Sequence, residues 1–155
     1  MEQRDSLTEV RALIDFLRRH TLRTRIGLWR MPLHCVGKEP DVATRLQIDA
    51  FDVRRAIQQQ LPEGTRYVRL TLEKVLEALD FVASSERRRD CVLVYNLDLL
   101  LAGLKRNERQ RVWESLLGGL PYRQYALLLA IPATAIQVLP TEQLLEVWQR
   151  EGRLV

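Results

Sequence analysis

The octapeptide Pro32-Leu33-His34-Cys35-Val36-Gly37-Lys38-Glu39 carries a Gly-Lys pair in the register of a turn that wraps a triphosphate. Such a turn reads G-x-x-x-x-G-K-[ST]. Its glycines let successive backbone N–H groups cradle the phosphates, its lysine reaches the outer phosphates, and its hydroxyl holds magnesium. Gly37 and Lys38 are therefore candidate nucleotide-binding residues, but Pro32 stands where the first glycine belongs and Glu39 where the hydroxyl belongs. Proline removes an N–H and fixes φ. Glutamate sets a negative charge beside phosphate. Pro40 further disfavours the helix that such a loop feeds.

A hydrolytic site of this kind also needs an acid at the end of a buried strand to hold magnesium. The most apolar window of the chain, Cys91 to Leu101 (CVLVYNLDLLL), is the strand that could supply it. Its frame sets Tyr95 at the metal-holding position, so the ligand itself is missing. Asp98 remains as the candidate catalytic acid, with the N-cap of whatever follows as its alternative role. Cys35, Cys91, His20 and His34 are the only cysteines and histidines, and no C-x-x-C pair or His/Cys cluster offers a metal site. His34-Cys35 lacks a placed carboxylate partner, so both cysteines read as reduced and structural.

The elements that must position these residues follow from periodicity. Ser6 and Glu9 fit a capping box ahead of Leu7, Val10, Leu13, Ile14 and Leu17 at helical spacing. Residues 24–29 form a strand, and 44–48 a second short strand or irregular lead-in. Asp49 or Asp52 caps a helix through Val53, Ile57 and Leu61 that Pro62 and Gly64 terminate. Residues 66–70 alternate like a strand, and Thr71 caps a helix carrying Val75, Leu76 and Leu79. Cys91 onward and residues 125–131 are continuous apolar runs, as expected of strands buried on both faces. Between them lies a charged helix over 105–117. A last helix runs from the cap Thr141 to Arg150, and Gly152 ends it before Arg153-Leu154-Val155, an edge-strand candidate. Alternating strands and helices predict a single α/β domain over 1–155, with an N-terminal helix over 1–22 and an α/β core over 23–155. The expected core is three-layered, with a mainly parallel sheet of about five strands. Ligands in such sheets sit beyond the carboxyl ends of the strands.

Composition bounds what the domain can be. With 46% hydrophobic and 28% charged residues and only 7 Gly and 6 Pro, the chain belongs among globular rather than disordered proteins. No apolar run approaches the roughly 18–20 residues of a membrane span, and MEQRDSLTEV has no signal-peptide core. A cytoplasmic protein without a membrane partner is expected. The net charge of +4 rests almost wholly on arginine, since Lys38, Lys74 and Lys105 are the only lysines. Arginine suits planar contacts with phosphates and carboxylates. Arg87, Arg88 and Arg89, with Arg106, Arg109 and Arg111, are the candidate nucleic-acid contacts. The competing reading is a solvated face, because acidic residues are interleaved and no aromatic stacking pattern accompanies the charge. Trp113 and Trp148 lie on charged helices, where a protein interface competes with core packing.

The runs RYVRLTLEKVLEALD, VLVYNLDLLLAGLK and ALLLAIPATA, spanning Arg66 to Thr134, resemble the small P-loop proteins of bacterial phage-exclusion (BREX-type) defence loci and, more distantly, the AAA-type ATPases. Asn96-Leu97-Asp98-Leu99-Leu100 matches the tail of the family's acid-ended strand, whereas Tyr95 replaces its leading acid, and the phosphate loop has no convincing counterpart. The resemblance implies Thr134 as the sensor polar residue after the next strand and Arg150 or Arg153 as an arginine acting in trans. It implies a nucleotide-switch fold that has lost its switch. The expectation is a non-catalytic, P-loop-like subunit without a cofactor that binds other proteins of a defence or mobile-element complex. The alternatives are an active or partner-completed ATPase using ATP and magnesium, self-association of the chain, and a DNA- or RNA-binding adaptor.

Overall fold

Two continuously apolar segments form the centre of a sheet and fix everything around it. The computed structural model describes residues 2–19, 24–65, 69–85, 88–118 and 125–155. In chain order these form α1 (Glu2–Leu17), β1 (Ile26–Met31), a 3-10 turn (Leu33–Cys35), α2 (Glu39–Leu46), β2 (Asp49–Asp52), α3 (Val53–Gln59) and α4 (Leu72–Ser84). The second half adds β3 (Cys91–Tyr95), α5 (Leu97–Ala102), α6 (Arg106–Gly118), β4 (Ala126–Pro132) and α7 (Glu142–Arg150). The strands pair in parallel in the order β1-β4-β3-β2, so the two most apolar strands lie inside. Parallel strands of this kind must be covered on both sides, and these are.

Alternation along the strands divides the core in two. Ile26, Leu28, Val92, Val94, Leu127 and Leu129 face α3 through α7. Trp29, Met31, Cys91, Leu93, Leu128 and Ala130 face α1 and α2. Gly27 lies under α1, where an added Cβ would stand 2.9 Å from Leu17 Cδ1. The missing side chain lets the helix lie close on β1. Trp113 and Trp148 are not interface anchors: both are buried, their rings meet edge to face at 6.3 Å and 88°, and Trp113 Nε1 donates to the Val138 carbonyl at 2.8 Å.

Several sequence expectations are corrected. Among the described residues the sheet has four strands rather than five. Residues 153–155 meet β1 through an isolated parallel bridge, Leu28 to Leu154, with the Leu28 N–H donating to the Arg153 carbonyl at 2.8 Å, the Val155 N–H to the Leu28 carbonyl at 3.0 Å and the Arg30 N–H to the Val155 carbonyl at 2.8 Å. Residues 44–46 are helical, not a strand. Pro40 occupies the first turn of α2, where a missing N–H leaves no bond unmade, so the loop does feed a helix. Because α1 starts at Glu2, Ser6 lies within it rather than capping it. The expected strand at 66–70 falls largely on residues outside the description. Among the described residues no helix is long and apolar enough to cross a membrane.

The connections determine where a ligand crevice must lie. From β1 the chain crosses to β2 by α2 on one face, while from β4 it returns past β1 by α7 on the other. Adjacent strands whose connections leave toward opposite faces open a crevice at their carboxyl ends. Here that place is above β1 and β4, where the Ala133 N–H donates to the Met31 carbonyl at 2.8 Å.

Candidate functional site

The loop leaving β1 sits at this crevice, but its donors are already engaged. The 3-10 turn closes through the Cys35 N–H on the Pro32 carbonyl (3.0 Å) and the Val36 N–H on the Leu33 carbonyl (3.1 Å). The Lys38 N–H donates to the Cys35 carbonyl at 3.0 Å. Gly37, held at φ +84°, donates its N–H to Glu39 Oε1 at 3.1 Å. Glu39 is only 5% exposed. Every N–H from Cys35 to Lys38 thus has an acceptor inside the loop, and the one at Gly37 is a carboxylate. A loop that wraps phosphate must leave such donors open.

Lys38 is exposed and lines a cleft of ≈ 160 Å³ with Leu7, His34, Cys35, Asp41, Val42 and Arg45, on the side of the sheet covered by α1 and α2. No hydrogen bond or ion pair joins it to Asp98 among the described residues. The structure therefore keeps Gly37 and Lys38 in one loop without assembling them with the acid that sequence pairs with them. In the same cleft Cys35 is buried, and burial raises its thiol pKa despite Arg45 and Lys38 nearby, the opposite of an activated thiolate. Burial likewise pushes the Cys91 thiol up to about 12.

The exit of β3 is built around Asp52, which sequence reading placed only as a helix cap. The register pairs Asp52 with Tyr95, setting the last residues of β2 and β3 side by side. Asp52 does cap α3, with Oδ1 accepting from the Arg54 N–H at 3.1 Å. It also accepts from Arg54 Nη2 at 2.8 Å and from Asn96 Nδ2 at 3.0 Å. Asn96, at φ +64°, holds the cap position of α5. Asp98 follows in the first turn of that helix, so it is not the cap. Among the described residues no group of three or more His, Cys, Asp or Glu could hold a metal ion.

The two carboxylates of this edge titrate in opposite directions. Burial raises Asp52, but hydrogen bonds from Arg54 and Asn96 outweigh it and hold the carboxyl below its ordinary value. For Asp98, burial is the largest influence and raises the carboxyl, with Glu39 adding to it, against the backbone N–H groups of Asp98 and Leu99 and the charge of Arg54. Asp52 therefore contributes stability that is present above its unfolded pKa and is lost as pH falls through the folded value. Asp98 opposes stability at neutral pH, and that opposition lifts as pH falls through its raised folded value. At pH 7, Asp52→Asn should lower unfolding free energy by about 1–3 kcal/mol. Asp98→Asn should leave it unchanged or raise it by about 0.5 kcal/mol. Urea titrations of both variants check the pair of signs.

The remaining candidates are scattered. Thr134 is exposed in the turn after β4, on the crevice edge. Arg150 is exposed at the far end of α7. Arg153 is 4% exposed and donates to the carbonyls of Ile26, Leu116 and Leu117, so it is not available to act in trans. Arg87 lies outside the described residues. Arg88 and Arg89 are exposed at the amino edge of the sheet, where the Arg89 N–H donates to Asp49 Oδ2 at 3.1 Å. Arg106 and Arg111 are exposed early in α6, which starts from the carboxyl edge, and Arg109 is tied to the Leu104 carbonyl at 2.7 Å. The two arginine groups thus begin at opposite edges rather than forming one phosphate track. Compared with known proteins, the chain matches no family model, no curated protein and no solved structure.

Proposed function

We propose that this chain is a non-catalytic, P-loop-like subunit that works by binding other proteins in a multi-component bacterial assembly, with antiphage defence as the setting that the resemblance implies. The observation that carries the reading is the closed loop after β1, in which Glu39 takes the Gly37 N–H that phosphate would need. Two further features support it. The loop lies at the switch point of a parallel sheet and leads into a helix, the placement that nucleotide binding requires. At the end of β3, Tyr95 stands where a metal-holding acid belongs, and burial, with Asp52 beside it, raises its phenol pKa. A phenol kept protonated is a poor magnesium ligand. Isothermal titration with ATP and magnesium should give no binding heat at millimolar nucleotide. Micromolar binding that Lys38→Ala abolishes would overturn the proposal.

A further inference from the structure

The described residues with exposed large apolar side chains are Leu33, Val36, Leu99 and Ile136. Each lies in a connection that leaves the carboxyl end of β1, β3 or β4, and these three strands are consecutive in the sheet. Neighbouring strands are about 4.8 Å apart, so the four side chains gather along one edge. Leu33 is 68% exposed and Ile136 76%. Ile136 stands at the rims of two open clefts, of ≈ 420 and ≈ 580 Å³, that flank the loop after β4. Single exposed apolar residues need no explanation, whereas a set confined to one edge marks a binding surface.

Cations predominate in the connections that carry this set. In the connections 32–38, 53–55, 96–106 and 133–141 the exposed ionic side chains are Lys38, Arg54, Arg55, Lys105 and Arg106, of which Arg54 is already paired with Asp52. The carboxylates close by are withdrawn: Asp98 is half-buried, Asp52 is paired with Arg54, and Glu39 is folded onto Gly37. Exposed carboxylates stand at the margins of the edge: Glu9 shares the ≈ 580 Å³ cleft with Ile136, Glu142 shares the ≈ 420 Å³ cleft, and Asp41 lies beside Lys38 in the first turn of α2. We propose that the carboxyl edge docks an acidic segment of another protein that carries large apolar side chains, the apolar anchors meeting Leu33, Leu99 and Ile136 and the acids meeting the cationic rim. This rests on the proposed function, because the same edge would otherwise be the nucleotide site. A second copy fits less well, since a two-fold contact through this edge brings together two surfaces on which cations predominate. Nucleic acid leaves the protruding aliphatic side chains without partners, and single strands prefer aromatic stacking platforms.

Selection of a random-peptide display library on the immobilised full chain tests this, followed by anisotropy titration of a labelled selected peptide. Selected sequences should combine Asp or Glu with Leu, Ile or Phe. Affinity should fall with salt and drop about tenfold or more in Ile136→Glu and in Lys38→Glu. Arg88→Glu, at the opposite edge, should leave it unchanged. Urea unfolding of each variant confirms that a lost affinity is not a lost fold. The proposal is overturned if no peptide is selected, if selected peptides lack the acidic bias, or if binding ignores the edge substitutions. It is also overturned if light scattering finds a dimer that Ile136→Glu splits, or if labelled DNA binds in a way that only the cation substitution removes. Titration with magnesium and ATP separates the failures: nucleotide binding sinks the closed loop, whereas silent nucleotide with unmapped peptide sinks the docking edge alone.

Discussion

Arg153→Ala should lower the free energy of unfolding by about 3–5 kcal/mol, the range for removing one member of a buried charged network. The guanidinium is 4% exposed and holds together parts of the chain that are far apart in sequence. Its Nε donates to the Ile26 carbonyl at 2.7 Å, Nη1 to the Leu117 carbonyl at 2.8 Å and Nη2 to the Leu116 carbonyl at 3.3 Å. Its charge is met by Glu151 at 2.9 Å, and its plane lies over the Trp148 ring at 4.5 Å. Burial lowers its pKa and Glu151 opposes the change. Arginine nevertheless stays protonated in proteins. One side chain thus satisfies the end of α6, the start of β1 and the chain terminus at once. Alanine takes this donor from three carbonyls, those of Ile26 and Leu116 buried and that of Leu117 partly so, and empties the space beside Trp148. Arg153→Met separates the causes, because it fills the space without donating. It should recover only about 1 kcal/mol of the loss if hydrogen bonding dominates. Urea unfolding measures both, and an alanine variant within about 1 kcal/mol of the parent would refute the anchoring role.

This arginine also shows where sequence reading stops. Sequence offers Arg153 as an arginine acting in trans and 153–155 as an edge strand, but not that the parallel return of these residues onto β1 buries the guanidinium. Helix caps were readable because they are local: Thr71 accepts the Lys74 N–H at 3.3 Å and Thr141 the Leu144 N–H at 3.4 Å. The apolar runs of β3 and β4 were readable because strands covered on both faces need no alternation. β2 was not, since its sequence DAFD has an acid at each end and is only half-buried. Both acids face tertiary partners, Asp49 the Arg89 N–H and Asp52 the side chain of Asn96, separated by 40 and 44 residues. Nothing local announces such a strand. The helix α2 was obscured by Pro40, which reads as a breaker until the loop is seen to deliver it to the first turn.

The candidate site divides in the same way. By residue type alone, Pro32, Glu39 and Tyr95 deny the loop after β1 and the end of β3 the groups that phosphate and magnesium need. What residue type does not reveal is the use made of the substitutes. Glu39 turns back two residues to close the loop on Gly37, and burial together with Asp52 raises the Tyr95 phenol. The apolar edge was invisible for another reason. Leu33, Leu99 and Ile136 are ordinary leucine and isoleucine in apolar neighbourhoods, and the sheet order alone brings the three connections together.

Asn96 is the residue through which the exits of β2 and β3 are joined, and its replacements should separate backbone from side-chain effects. Its φ of +64° is a left-handed conformation that asparagine tolerates and β-branched residues resist. Its Nδ2 donates to Asp52 Oδ2 at 3.0 Å. Asn96→Val should cost about 2–4 kcal/mol, combining left-handed strain with the lost hydrogen bond. Asn96→Gly adopts the same φ freely and should cost only about 1 kcal/mol, the worth of that bond. In the glycine variant the Asp52 carboxyl, now held below its ordinary value by Arg54 without Asn96, should titrate closer to that value, read by NMR of its side-chain carbonyl. Equal losses for valine and glycine would exclude the conformational requirement. An unchanged Asp52 titration would exclude the hydrogen bond as a control on the carboxylate. If both effects appear, Asn96 is explained by fold geometry, with no nucleotide chemistry required to keep it.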